Sequence, residues 1–133
     1  MKSIQTFLAA TLLAAGLSAC GHMGGHSRDA DTSPTAGPQG LLVDGQGMTL
    51  YTFAKDARNS GISECYGGCA TLWPPALAGA GAKAEGKLTF IIREDGQRQW
   101  SHNGHPLYRY AHDAKAGDRQ GDGLGGNWKA VAP

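Results

Sequence analysis

The sequence has almost no net charge and no block of either sign. Its 12 Lys+Arg stand against 11 Asp+Glu. A chain so balanced lacks the basic excess that marks nucleic-acid binders. It also lacks an apolar run of spanning length. The longest, Ile4 to Leu17, is interrupted by Gln5, Thr6, Thr11 and Gly16, and its fourteen residues fall short of the roughly 20 that cross a bilayer. Long helices are disfavoured by glycine, which fills 21 of 133 positions. No Ser sits in a Gly-x-Ser-x-Gly elbow, and no glycine-rich loop leads into a helix as a phosphate site requires. Haem attachment through Cys-x-x-Cys-His is missing too. These absences exclude the common catalytic sets, and the length allows one domain at most. The expectation is a protein that is not an enzyme.

What is present starts with an address. Lys2 precedes the apolar stretch, and Leu17-Ser18-Ala19-Cys20 closes it. A charged n-region, a short h-region and small residues before a cleavage point read as a signal peptide over residues 1–19. The closing box resembles the lipobox of bacterial lipoproteins, in which the Cys is diacylated and becomes the new N-terminus. That resemblance implies a membrane anchor at Cys20 and an envelope location. Gly21 follows the Cys, where an Asp would resemble an inner-membrane retention signal, so the outer membrane, facing the periplasm, is expected. Cleavage takes away only Lys2 among the charges, which leaves 11 basic residues against 11 acidic ones. A neutral chain has little long-range field to steer a charged macromolecule.

From residue 20 to 40 the chain is Gly, His, Ser, Asp, Thr and Pro with almost no large apolar side chain. Such a composition buries too little to offset its ordering entropy and reads as a flexible tether. The domain is then expected at 41–133.

That domain repeats itself. Tyr51-Thr52-Phe53-Ala54-Lys55-Asp56 returns as Tyr108-Arg109-Tyr110-Ala111-His112-Asp113. Leu50 and Leu107 precede the copies, Gly47 and Gly104 stand three residues earlier, and Trp73 and Trp128 follow about twenty residues later. Two related strand-turn-strand units, packed on one another, follow from this. Asp44-Gly45 marks a turn in the first unit. Asp95-Gly96 and Asn103-Gly104 mark two turns in the second, giving a meander of Leu88–Arg93, Gln97–His102 and His105–Tyr110. The fold class is mostly β. Period-two alternation puts Tyr51 and Phe53 on one strand face, and Tyr108 and Tyr110 likewise. These aromatics serve either as packing or as a ligand-stacking platform.

The two motif copies resemble the small bacterial lipoproteins named for a Yx(FWY)xxD motif, also called the secreted repeat of unknown function. Cys65-Tyr66-Gly67-Gly68-Cys69-Ala70-Thr71-Leu72-Trp73-Pro74-Pro75 resembles the family's Cys-x3-Cys-Ala-x-x-Trp-Pro-Pro block. Asn103-Gly104-His105-Pro106-Leu107-Tyr108 and the run from Gly117-Asp118 to Trp128 resemble its C-terminal block. The resemblance implies a fold and a secreted location but no activity.

Three cysteines divide as one and two. With Cys20 lipidated, Cys65 and Cys69 remain in an oxidising compartment. A separation of four residues brings them within disulfide range. A structural disulfide, a redox-active pair and a soft-metal thiolate site are the readings, though Cys-x3-Cys is not the thioredoxin spacing. The five histidines are His22, His26, His102, His105 and His112. His22, Met23 and His26 form a short tract in the tether that suits copper, and His102 and His105 flank the Asn103-Gly104 turn. These groups make copper the expected metal, if one is bound. His112 stands where the first copy has Lys55, so that position is not reserved for a metal. Asp113, Asp118 and Asp122 lie on a glycine-rich loop, either as calcium ligands or as caps for backbone amides.

The functional expectation is a lipid-anchored, non-enzymatic interaction or binding module. A periplasmic copper-binding protein and a thiol-disulfide redox protein are the alternatives. The membrane is the expected partner, through the lipid; nucleic acid is not a partner, and a protein or small-ligand partner goes unnamed.

Overall fold

The structure is a computed structural model, and it describes residues 31–133. Residues 1–19, read from the sequence as a signal peptide, and Cys20, His22, Met23 and His26 lie outside the described residues.

Short strands dominate. β1 is Thr35–Ala36, β2 Leu42–Val43, β3 Tyr51–Phe53, β4 Leu88–Ile92, β5 Arg98–His102, β6 His105–Pro106 and β7 Trp128–Ala130. A single turn of helix, α1 at Gly68–Leu72, and a 3-10 turn at Leu124–Gly126 complete the described elements. The domain is small, mostly β, and built from two repeats.

The domain begins earlier than its composition suggests. Residues 35–40 were expected in the tether, but β1 pairs antiparallel with β2, Thr35 opposite Val43 and Ala36 opposite Leu42. Gly40 takes a left-handed φ of 71°, and the Gly37 N–H donates to the Leu41 carbonyl at 2.7 Å. Thr35-Ala36 carries no apolar pattern of its own. Its strand conformation is imposed by a partner that follows the turn.

The sequence turns fall where their residues demand them. Asp44 Oδ1 accepts from the Gln46 and Met48 amides at 2.9 and 3.0 Å, an Asx turn of the kind aspartate favours. In the meander, β4 pairs with β5 and β5 with β6, all antiparallel. The β5–β6 turn has positive φ at both Asn103 (52°) and Gly104 (82°), the requirement of a type I′ hairpin.

The two repeats interlock rather than merely pack. Tyr51 and Tyr108 pair back to back, each N–H donating to the other's carbonyl at 2.8 and 2.9 Å. Each motif strand then takes its second partner from the other repeat. β3 pairs with β7, Phe53 opposite Trp128. Tyr108 bridges Pro75, and the Arg109 N–H donates to the Pro74 carbonyl at 2.7 Å. The equivalent bonds recur: Ala54 to Asn127 and Ala111 to Leu72, Val131 to Leu50 and Ala76 to Leu107.

Strand alternation splits the interior in two. Leu50 and Leu107 point to an aliphatic core with Leu42, Trp100 and Ala76. Tyr51 and Tyr108, one residue on, point the other way into an aromatic core with Phe53, Trp73 and Trp128. The central Tyr51–Tyr108 pair is sandwiched between these layers.

Candidate functional site

The repeated motif builds a reciprocal polar lock. The Tyr51 hydroxyl donates to Asp113 Oδ2 at 2.5 Å, and the Tyr108 hydroxyl donates to Asp56 Oδ2 at 2.5 Å. Each repeat's tyrosine thus bonds the other repeat's aspartate. The second oxygen of each carboxylate closes its own loop: Asp56 Oδ1 accepts the Glu64 N–H at 2.7 Å, and Asp113 Oδ1 the Gln120 N–H at 2.9 Å. All four side chains are buried. Burial raises the pKa of both tyrosines, and the bond each makes to a carboxylate raises it further; they remain donors across the working range. Burial also pushes the Asp56 carboxyl above the ordinary carboxylate range, against the pull of its bonds from Tyr108 and Glu64.

The aromatic residues repeat the exchange. Trp73 and Trp128 stack with centroids 3.8 Å apart and planes within 3°. Phe53 stacks on the far face of this pair against Trp128 at 4.2 Å, and Tyr110 lies tilted on Trp73 at 4.4 Å. Tyr51 meets Trp73 edge-on, and Tyr108 meets Trp128 edge-on, at 5.3 and 5.2 Å. The column Phe53–Trp128–Trp73–Tyr110 alternates between repeats. It is packing, because Tyr51, Phe53, Trp73, Tyr108 and Trp128 are all buried and only Tyr110 is half-exposed. Gly121 sits against it so closely that a Cβ would fall 2.6 Å from Trp73.

Sequence reasoning missed the residues that extend the lock. Ser63 Oγ lies 2.6 Å from the Tyr108 hydroxyl; since the Tyr108 proton goes to Asp56, Ser63 is the donor. Arg93, buried, donates through Nη1 to Ser63 and Gln99 and through Nη2 to the Cys65 carbonyl. Its guanidinium lies 4.3 Å over the Tyr66 ring. Arg93 ends a β-rich run beside Glu94 and Asp95, and nothing in that context separates it from a surface charge.

Cys65 and Cys69 are bonded, with Cα atoms 5.2 Å apart. Gly67, at φ 57°, caps α1, which starts at Gly68 and carries Cys69. Cys65 is fully buried and Cys69 half-buried. The three aspartates of the C-terminal loop are occupied with backbone amides. Asp118 Oδ2 accepts from Ala114 and Lys115, Asp122 Oδ1 accepts from Ala130, and Asp113 is committed as above. His112 is exposed and edge-on to Tyr110.

His102 and His105 face each other across the β5–β6 turn. Among the described residues no three His, Cys, Asp or Glu stand together as a metal site, so this pair finds no third ligand. It lines instead a cavity of about 300 Å³. Thr52 and Lys129, paired across β3 and β7, share that cavity with Leu41 and Val131. A second cavity, about 240 Å³, lies between the β1–β2 hairpin and Ala116-Gly117. Neither is lined by the Tyr–Asp locks.

A family model described as a secreted repeat of unknown function matches the chain twice, over residues 35–77 and 89–132. The chain belongs to this family. The first match begins at β1, in accord with the early start of the domain. Searches of curated proteins and of solved structures found no match. The two matched segments of this secreted repeat protein are the two halves that exchange strands, tyrosines and rings. No helix among the described residues is long and apolar enough to cross a membrane.

Proposed function

We propose that this secreted repeat protein is a lipid-anchored envelope protein whose β domain is a non-enzymatic binding module. The observation that carries the reading is the fate of the repeated motif. Its two tyrosines and two aspartates, with Phe53, Trp73 and Trp128, are consumed in the interlock. The motif makes a rigid scaffold, and the buried titratable groups Tyr51, Asp56 and Tyr108 open onto neither cavity. What is left to meet a ligand is the two cavities, one beside the β5–β6 turn and one beside the β1–β2 hairpin.

The anchor rests on the Leu17-Ser18-Ala19-Cys20 box and the short h-region before it. The polar, glycine-rich residues that follow Cys20 are the proposed tether between that anchor and the domain. The outer membrane, facing the periplasm, is the proposed location, from Gly21 after the lipidated Cys. The test is metabolic labelling with radioactive palmitate. The parent takes up label, and Cys20→Ser takes up none and stays uncleaved at that position. Label retained by Cys20→Ser refutes the anchor.

A further inference from the structure

The cavity beside the β5–β6 turn has the walls of a binding site, and its polar side is cationic. His102 is 8% exposed, yet its imidazole makes no hydrogen bond among the described residues. Among the described residues, the one sealed side-chain nitrogen or oxygen without a partner is Arg93 Nε. The His102 nitrogens are therefore not sealed, and the residue lines the cavity. The ring is largely buried while its nitrogens reach the cavity, so whatever occupies that cavity, water or a ligand, takes its hydrogen bonds.

The charged side chains that line it or act on His102 are basic. Lys129 lines the same cavity. Burial, and after it the charges of Lys87 and His105, hold the His102 pKa below the ordinary imidazole value. Among the described residues the ion pair within 4 Å is Arg109–Asp44, elsewhere in the fold, so neither Lys129 nor Lys87 is paired with a described carboxylate. A cation entering here meets repulsion and two imidazoles at most. An anion meets Lys129 and a neutral imidazole donor.

The rim is fixed before any ligand arrives. Arg58 donates through Nε to the Asn103 carbonyl and through Nη2 to Asn103 Oδ1, both at 2.9 Å. The Asn59 N–H donates to the Gly104 carbonyl at 2.9 Å, and the Asn103 N–H to the Lys87 carbonyl at 2.8 Å. A turn tied on both sides loses little freedom on binding. The facing wall, Leu41 and Val131, is apolar. About 300 Å³ is the low end for small-molecule pockets.

We propose that this cavity binds a small organic anion, a carboxylate on a short apolar body, with Lys129 and His102 on the carboxylate and Leu41 and Val131 on the body. The inference rests on the binding-module reading and is independent of the lipid anchor.

Benzoate is the probe, titrated calorimetrically into the full chain in detergent micelles, with the His102 imidazole resonances followed in parallel by NMR. Benzoate is expected to bind one to one and to move those resonances. Lys129→Met and His102→Gln are each expected to weaken it about tenfold, the loss that goes with one charge-assisted hydrogen bond. Lys129 is exposed, so its variant keeps the fold even where His102→Gln does not. Absence of benzoate binding overturns the proposal, as does binding that Lys129→Met leaves unchanged. Inorganic phosphate binding as tightly as benzoate overturns the apolar half of it. Copper binding that shifts His102 and His105 and excludes benzoate makes the site a metal site instead. Palmitate labelling is unaffected by any of these outcomes, so failure here and failure of the anchor are read separately.

Discussion

Replacing Asp113 by Ala tests the reciprocal lock most directly. The substitution removes the acceptor of two hydrogen bonds, from the Tyr51 hydroxyl at 2.5 Å and the Gln120 amide at 2.9 Å. The hydroxyl is the costlier loss. Tyr51 is fully buried, and its remaining contact, the Gly121 N–H at 3.3 Å, is a donor that cannot take its proton. Hydrogen bonds to charged groups contribute about 1.5–3 kcal/mol, and a stranded polar group costs a similar amount. With roughly 1 kcal/mol more for the partly buried amide, Asp113→Ala should destabilise by about 3 kcal/mol. Tyr51→Phe should cost about 2 kcal/mol, since it leaves the carboxylate its bond to the Gln120 amide. The double variant should fall short of the sum by about 1–2 kcal/mol, because one bond is then lost only once. Urea unfolding followed by tryptophan fluorescence reads all four proteins, the stacked Trp73 and Trp128 reporting on this core. The Asp56–Tyr108 cycle should give a coupling of the same size. Additivity within about 0.5 kcal/mol in both cycles, or single variants as stable as the parent, would refute the lock and return the aspartates to candidacy for binding.

Reduction of Cys65–Cys69 should lower stability by roughly 2 kcal/mol, the value for so short a closed loop; equal urea midpoints with and without reductant would contradict this. Gly121→Ala should cost about 1–3 kcal/mol through overpacking, since its Cβ would meet Trp73 at 2.6 Å and Tyr110 at 3.0 Å. The near-ultraviolet circular dichroism of the ring column should change with it, and an unchanged spectrum and midpoint would show that the column yields freely. Because the His102 pKa is lowered in the fold, the unfolded chain binds more protons just below pH 6.5. Its contribution is complete above that pH and is lost as pH falls through the window down to the folded value. His102→Gln should flatten the stability profile there, and an identical slope in parent and variant would count against it.

The turns and the repeat were legible because their causes are local. Asn103-Gly104 can supply two consecutive positive φ values, and Asp44 can cap its own turn, whatever the rest of the chain does. Tyr51, Phe53 and Asp56 announced a unit because the same spacing returns at Tyr108, Tyr110 and Asp113. The start of the domain was not legible, since Thr35-Ala36 becomes a strand only when Leu42–Val43 lies beside it. Arg93 was equally silent: a surface arginine and a buried one look alike until Ser63, Gln99 and the Cys65 carbonyl surround it.

Two matching units, the places of their turns and the bonding range of Cys65 and Cys69 all follow from the order of residues. Which unit serves which follows from long-range pairing alone. A repeat specifies equivalent positions, and equivalent positions are satisfied equally by partners within one copy or across two. The choice fell to the central Tyr51–Tyr108 pairing. By setting the two motif strands side by side, it places each hydroxyl against the other repeat's carboxylate and each tryptophan against the other repeat's ring. The same long-range pairing sets Lys129 beside Thr52 and brings the β5–β6 turn to the same cavity, an arrangement to which no local spacing contributes.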